Sequence, residues 1–357
     1  MSNANVTLAM IRNGTGTFSV DNATYSAEIK AVQKALSRYG FHPGSPDGYY
    51  GSRTAAAVKG LQNEKQLSVN GILNQSTLQS LENWSGTIYG TPTITPSLNQ
   101  VRNGLDYFHV GDSGTAITTI RSLLNNKGYY CTQNGAYDST LQSVIQSFQT
   151  SVGLTADGLA GQATLAALED NVADSNWLVS GTVNLTAGKL ARAGFSNILL
   201  RRDIVDSLNA ALNTYGINTK TKVRHFLAQC MAETDKGNSL VEYAYKPGEI
   251  GSASYAPYYG AGFIQLTWQS NYSAYKIYKG DSKILTPSEY ATQHVAFRYP
   301  ADSAGWYWSI YSDIDSSINW NGAADSICSA ITKKITGTYA TASVRYTYYT
   351  KITNILI

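Results

Sequence analysis

A chain of 357 residues, 43% hydrophobic with a formal net charge of +3, holds enough material for two or three cored domains and excludes both a charged disordered tail and a polycation that coats nucleic acid. Its charged share is only 14%, against about 25% in an average soluble domain, and Ser, Thr, Asn, Gln and 26 tyrosines fill the difference, a surface suited to carbohydrate. Cys131, Cys230 and Cys328 form no paired motif, which excludes a disulfide framework, and no apolar run approaches the roughly 20 residues of a membrane span.

At the N-terminus, MSNANVTLAMIRNGTG has no basic segment and only a short apolar run, Leu8 to Ile11, so it does not read as a secretory signal. A duplication with a period of about 87 residues follows. The first copy holds IKAVQKALSRYGF (29–41) and DGYYGSRTAAAVKGLQNEKQLSVNGILNQSTLQSL (47–81). The second holds ITTIRSLLNNKGYY (117–130) and NGAYDSTLQSVIQSFQTSVGLTADGLAGQATLAAL (134–168). Val58, Leu61 and Gln62 fall on Ile145, Phe148 and Gln149; Leu67, Gly71, Thr77 and Leu78 fall on Leu154, Gly158, Thr164 and Leu165. Ile29, Val32, Gln33 and Leu36 share one helical face, and Asp47-Gly48 and Asn134-Gly135 are turn formers that tolerate positive φ. Each copy reads as three short helices around a small core.

The Gly-Tyr/Phe end of the first helix, the DGxxG turn, the AVKxLQ second helix and the DGxxGxxT third turn resemble the peptidoglycan-binding module of type 1. The resemblance implies wall binding, with Tyr49, Tyr50, Arg53, Tyr129 and Tyr137 as candidate contacts; packing of the turns is the alternative role for these tyrosines. The second copy departs at Ala136-Tyr137-Asp138, where a glycine usually closes the turn. Two polar stretches, NWSGTIYGTPTITPSLNQVRNG (83–104) and EDNVADSNWLVSGTVN (169–184), read as connectors. The expected division is a first binding domain with an N-terminal arm over 1–84, a linker over 85–105, a second binding domain over 106–170, a linker over 171–184 and a last domain over 185–357.

The last domain turns helical. In TKVRHFLAQCMAETDKG (221–237), Val223, Phe226, Leu227, Cys230 and Met231 form an apolar stripe and Gly237 is a stop signal. Glu233 falls on that stripe in the last turn, where apolar neighbours and the helix dipole both penalise its ionised form, as a glycosidase proton donor requires. A helix-end glutamate that reaches solvent is the plain alternative. Glu242 follows beyond the helix end, then the loop KPGEIGSASYAPYYGAG (246–262) and FIQLTWQSNYSAY (263–275).

HFLAQCMAET, the second glutamate, YYGAGFIQLTWQSNY and DSAGWYW (302–308), in that order, resemble glycoside hydrolase family 19, which includes chitinases and phage endolysins that act as muramidases. The likeness runs from 178 to 357. It implies a helical, lysozyme-like domain, so the whole chain is expected to be mainly α, with no metal or other cofactor. It also implies roles: Glu233 as general acid, Glu242 as second carboxylate, Thr267 as the residue that positions water, and Gln265, Asn271, Tyr258, Tyr272 and Arg345 in the substrate groove. Ala232 stands where the family has a histidine, Ala261 where it has an arginine, and Ile335-Thr336-Gly337 in place of Ile-Asn-Gly, which leaves the choice of sugar open.

The expected activity is inverting hydrolysis of β-1,4 bonds in peptidoglycan glycan strands, with a chitinase or a non-catalytic wall-binding protein as alternatives. No nucleic-acid or membrane partner is expected, and the sequence sets no oligomeric state. The N-terminus suggests a protein made in a host cytoplasm that reaches the wall after release, through a holin-type pore if a phage encodes it. A zinc amidase needs a histidine-rich set, whereas the chain has only His42, His109, His225 and His294 and no HExxH. A Cys/His peptidase would have to use Cys230, which sits on the apolar stripe.

Overall fold

The computed structural model describes residues 3–21, 23–41, 43–85, 87–88, 95–170, 174–245 and 248–357. His42, Lys246, Pro247 and parts of both expected linkers lie outside these. The protein is mainly helical, with three apolar cores. The first is built on α1 (Ala27–Arg38), α2 (Ser52–Glu64) and α3 (Gln75–Ser85), the second on α4 (Thr115–Asn126), α5 (Ser139–Ser151) and α6 (Gln162–Glu169). The third spans α7 (Ala187–Ala193), α8 (Arg202–Thr214), α9 (Lys220–Glu233), α10 (Gln269–Lys279), α11 (Ser288–Arg298), α12 (Ala324–Thr336) and α13 (Ala342–Ile355). None of the described helices is long and apolar enough to cross a membrane.

A buried glutamine organises each repeat. The Gln62 amide donates to Asn70 Oδ1, the Ile72 carbonyl and Thr77 Oγ1 at 3.0–3.1 Å, and accepts from the Asn70 and Gly71 N–H groups. Gln149 donates to Asp157, the Leu159 carbonyl and Thr164, and accepts from Gly158 N–H. One side chain thus satisfies the backbone of a turn that has no ladder to satisfy it.

The repeats extend further than the sequence pattern shows. A short helix, Leu8–Arg12, precedes the first, and its counterpart, Leu98–Arg102, precedes the second. Arg12 pairs with Glu82 and Arg102 with Glu169, both at 2.6 Å, while Gln75 and Gln162 donate to the Arg12 and Arg102 carbonyls. The segment read as a linker over 85–105 therefore includes the opening helix of the second repeat, whose Val101 is fully buried in the second core. The segment over 171–184 is likewise more than a connector. Trp177 and Val183 enter the third core, and Leu178–Val179 and Thr182–Val183 form a small antiparallel hairpin. Single apolar anchors in polar surroundings leave no periodicity to read.

The three cores touch. On one side α6 and α7 pack so closely that a Cβ on Gly188 would fall 2.7 Å from the Ala166 carbonyl oxygen. On the other side the first repeat meets the third core. The Arg201 guanidinium lies 4.1 Å from the Tyr39 ring centroid, and Phe41 stacks on Phe297 at 5.3 Å.

Candidate active site

α9 runs through the third core with Val223, Phe226, Leu227, Cys230 and Met231 all buried. Thr219 Oγ1 caps its start by accepting from Lys222 N–H, and the Thr234 hydroxyl closes its end by donating to the Cys230 carbonyl at 2.7 Å. Asp235, Lys236 and Gly237 then take positive φ in succession, turning the chain sharply away. Glu233 is thereby left at the helix tip.

Three extended segments face that tip. Val241 bridges Ala261, and Ala261 bridges Leu266, so residues 241, 261 and 266 lie side by side. Glu242 sits on this platform with its backbone N–H donating to the Gly260 carbonyl at 2.9 Å. Both its carboxylate oxygens are engaged: Oε2 accepts from Gly260 N–H at 3.0 Å and Oε1 from the Tyr255 hydroxyl at 2.5 Å. Hydrogen bonding to Glu242, reinforced by burial, pushes the Tyr255 phenol up to about 12. The Gly260 backbone passes close under Gln265, so a Cβ there would lie 2.6 Å from Gln265 Oε1 and force that side chain to move.

Glu233, Glu242, Gln265 and Thr267 line one cleft of about 320 Å³. The Thr267 hydroxyl donates to the Gln265 carbonyl at 2.6 Å, so its proton is committed and its lone pairs are left to accept. Asn271 is not in the cleft wall; its amide donates to the Thr267 carbonyl at 2.7 Å and holds that backbone. Tyr258 and Tyr272 are not groove residues either. Tyr272 is fully buried, donates to the Tyr259 carbonyl at 2.6 Å and packs under Tyr258, which is itself 7% exposed. Their apolar bodies are needed to hold the loop, and no face is left for a sugar.

The surroundings of Glu233 also differ from the apolar wall expected for it. Its Oε1 lies 2.7 Å from Arg345 Nη2, and its side chain is 17% exposed. Arg345, at 4% exposure, donates from Nη1 to Gln229 Oε1 at 2.7 Å and from Nε to Thr341 Oγ1 at 3.1 Å. Arg345 is therefore an anchor for the carboxylate, not a surface that meets substrate. The apolar stripe continues up to Met231, and the next turn is met by α13 instead of hydrocarbon.

Sequence reasoning missed Asp235, Ser239 and Tyr243, which line the same cleft. It also missed Trp268, which is half exposed and stands edge-on to Tyr255 at 5.4 Å. An exposed aromatic directly beside a candidate acid, as Tyr243 is beside Glu242, was the available signal. Cys230 is fully buried and burial pushes its thiol well up, which disqualifies it as a nucleophile.

In the repeats, Tyr50 and Tyr137 are equivalent and buried, donating to the Gly71 and Gly158 carbonyls at 3.0 and 2.9 Å. They close the core, and neither can contact wall. Tyr129 is half-buried against Phe148, whereas Tyr49 and Arg53 reach solvent.

Residues 25–81 and 113–168 each match the family described as "Putative peptidoglycan binding domain". Two curated relatives come from Bacillus licheniformis. A "Probable N-acetylmuramoyl-L-alanine amidase" is 30% identical over 39% of this chain and 41% of its own length. The N-acetylmuramoyl-L-alanine amidase CwlL is 29% identical over 43% of this chain and 46% of its own. The chain thus spans less than half the length of either relative. Among solved structures, chitinase C from Streptomyces griseus is 23% identical, covering 42% of this chain and 83% of that one at a TM-score of 0.29. Each of the two repeats of this mainly helical chain is thus similar to a peptidoglycan-binding domain family.

Proposed function

We propose that the chain is a peptidoglycan hydrolase that cuts β-1,4 glycosidic bonds of the glycan strands with inversion. The observation that carries this is the convergence of Glu233, from the end of a helix, and Glu242, from an extended platform, on one cleft with Thr267. Glu233 donates a proton to the glycosidic oxygen as the bond breaks. Glu242 takes a proton from a water on the opposite face of the ring, and that water attacks the anomeric carbon. Thr267 accepts a hydrogen bond from the water and aims it. Arg345 fixes the direction in which the Glu233 carboxyl points. Tyr243 and Trp268 offer the exposed aromatic faces on which sugar rings stack, and the two repeats keep the enzyme on its polymer.

Glu233→Gln should abolish lysis of purified sacculi while leaving sacculus binding intact. Lysis that persists would remove Glu233 as the acid. Hydrolysis in 18O-labelled water, followed by mass spectrometry of the fragments and rapid NMR of the new anomer, reports bond and stereochemistry together. Colloidal chitin degraded as fast as sacculi would shift the substrate to poly-N-acetylglucosamine.

The names of the two relatives favour a second reading, cleavage of the amide between muramic acid and the stem peptide. The products separate the two: glycan cleavage releases reducing ends, whereas amide cleavage releases new amino groups and none.

A further inference from the structure

A second cavity lies apart from the acid cleft and shares no residue with it. It is a groove of about 650 Å³ at the junction of the three cores, within the roughly 300–1,000 Å³ typical of ligand sites. Its walls come from all three bodies: Lys34 and Arg38 on α1, Asp106 and Tyr107 ahead of α4, Asp157 and Gln162 in the second repeat, and Ser196 and Leu200 in the last domain.

The walls carry opposite charge. Lys34 stands exposed on the first repeat and Asp106 exposed on the second, and neither makes an ion pair among the described residues. Asp157 adds a second carboxylate; its Oδ1 accepts from Gln149 and from Leu159 N–H. Between these charges Leu105, Leu154, Leu159 and Leu200 supply apolar surface, and Tyr107, 46% exposed, stands at the groove. Cations on the first repeat and carboxylates on the second, with apolar side chains in the same groove, match a short zwitterionic peptide with small apolar side chains better than a glycan, whose hydroxyls carry no charge.

The groove is built before any ligand arrives. The α6–α7 packing fixes its second wall to the last domain, and the Tyr39–Arg201 and Phe41–Phe297 contacts fix its first. At Gly104, φ is +69°, and a Cβ would fall 2.7 Å from Gln162 Oε1 and 3.5 Å from Arg38 Nε. The backbone there thus passes close to side chains of both repeats, in a conformation that favours glycine.

We infer that this groove binds the stem peptide of peptidoglycan. The ammonium of Lys34 meets a peptide carboxylate, Asp106 and Asp157 meet the amine of the stem's diamino acid, and the leucines receive alanine methyls. Because three bodies contribute, engaging a stem peptide fixes how the repeats present the wall to the last domain. The inference rests on the family of the repeats and not on the glycosidase reading, so it is tested in a chain that needs no turnover.

Full-length Glu233→Gln protein is titrated calorimetrically with a free stem tetrapeptide, with the disaccharide-tetrapeptide and with chitotetraose. Free tetrapeptide and disaccharide-tetrapeptide should bind with Kd values within about twofold of each other. Lys34→Glu and Asp106→Lys should each weaken both by about tenfold, equivalent to about 1.4 kcal/mol. Both positions are solvent-exposed, so an unchanged Tm is expected, and Lys34→Gln repeats the test without reversing charge. A tetrapeptide that fails to bind, or binds with an affinity unmoved by these substitutions, overturns the proposal. So does chitotetraose binding that these substitutions weaken, since the groove would then be a glycan site.

Discussion

The Arg345 guanidinium touches Glu233 and Gln229 on one helix and Thr341 near the start of its own. Replacing it with methionine leaves a nearly buried carboxylate and an amide oxygen without their donor. Breaking such a pair costs about 3 kcal/mol, and it also releases the carboxyl that must point at the glycosidic bond. Arg345→Met should therefore lower Tm and reduce sacculus lysis more than sacculus binding. Arg345→Lys should recover part of both, since an ammonium reaches one partner but not two. Equal lysis rates for wild type and Arg345→Met would remove the positioning role. His225 gives a second residue-scale test. It is buried in α9, stacked on Tyr349 at 4.0 Å with no hydrogen bond to either ring nitrogen from the described residues, and burial pushes its pKa down to about 4. The unfolded chain, with an ordinary histidine pKa near 6.5, binds the proton more readily. The neutral buried ring therefore contributes stability above pH 6.5 that is lost as pH falls toward 4, about 3 kcal/mol in all. Urea unfolding of His225→Phe should show a flatter acid limb over that window. The position of Glu233 could be read from helical spacing alone. Arg345 was placed in the groove by resemblance, but its contact with Glu233 spans 112 residues, and no local pattern reports which distant side chain fills a helix tip.

At the scale of elements, the duplication shows one framework solving the same problem twice. Gln33 in α1 donates to Asp47, the Tyr49 carbonyl and Thr54, and the turn it serves closes on Gly51, which caps α2 without a side chain. In the second copy Arg121 takes the place of Gln33 and Asp138 that of Gly51. Arg121 is fully buried and donates to the Thr132 and Ala136 carbonyls and, at 3.0 Å, to Asp138, which also caps α5 by accepting from Leu141 N–H. The missing turn glycine is thus one half of a paired exchange, invisible to a reading that aligns positions one at a time. A double-mutant cycle measures it. Arg121→Gln should destabilise strongly because it strips donors from buried carbonyls. Adding Asp138→Gly should recover about 1 kcal/mol of that loss. Strict additivity in thermal unfolding would show the two exchanges to be independent. The helices themselves were legible from their periodicity, as were Gln62 and Gln149. The tyrosines of the turns were not: Tyr49 and Tyr50 are neighbours in sequence, yet one is exposed and the other closes the core, because an irregular turn has no period from which to infer a face.

The arrangement of the whole molecule turns on the contact between the first repeat and the last domain. There a Cβ on Gly40 would fall 2.0 Å from Phe297 Cζ, and one on Gly60 would fall 2.4 Å from Gln293 Oε1. Beside these close approaches His294 of α11 stands between two carboxylates. Its Nε2 lies 2.7 Å from Asp281 of the last domain, and its Nδ1 lies 3.4 Å from Glu64 of the first repeat. The Tyr299 hydroxyl also donates to Asp281, at 2.8 Å. Lys65, Arg298, Arg201 and Asp203 are the other charged groups acting on this patch. Burial alone would lower the His294 pKa, but hydrogen bonds to Glu64 and Asp281 outweigh it and raise the pKa above 6.5. The folded, docked state therefore holds the proton more tightly than a released one. Asp281 stays beside His294 when the first repeat is released, so docking adds only the Glu64 share of that rise; this contribution is present below the pKa of the released state and is lost as pH rises through the raised value. Docking of the first repeat should accordingly loosen on the alkaline side. Small-angle scattering should show a larger radius of gyration, and amide exchange should quicken around Gly40 and Phe297, as pH rises from 6 to 9. Glu64→Gln removes the carboxylate that the first repeat contributes, so this pH dependence should flatten. Gly40→Ala, which the packing and the positive φ both forbid, should open the contact at every pH. A radius and an exchange pattern that stay constant across this range in the wild-type chain would show that the apolar packing alone holds the repeat in place.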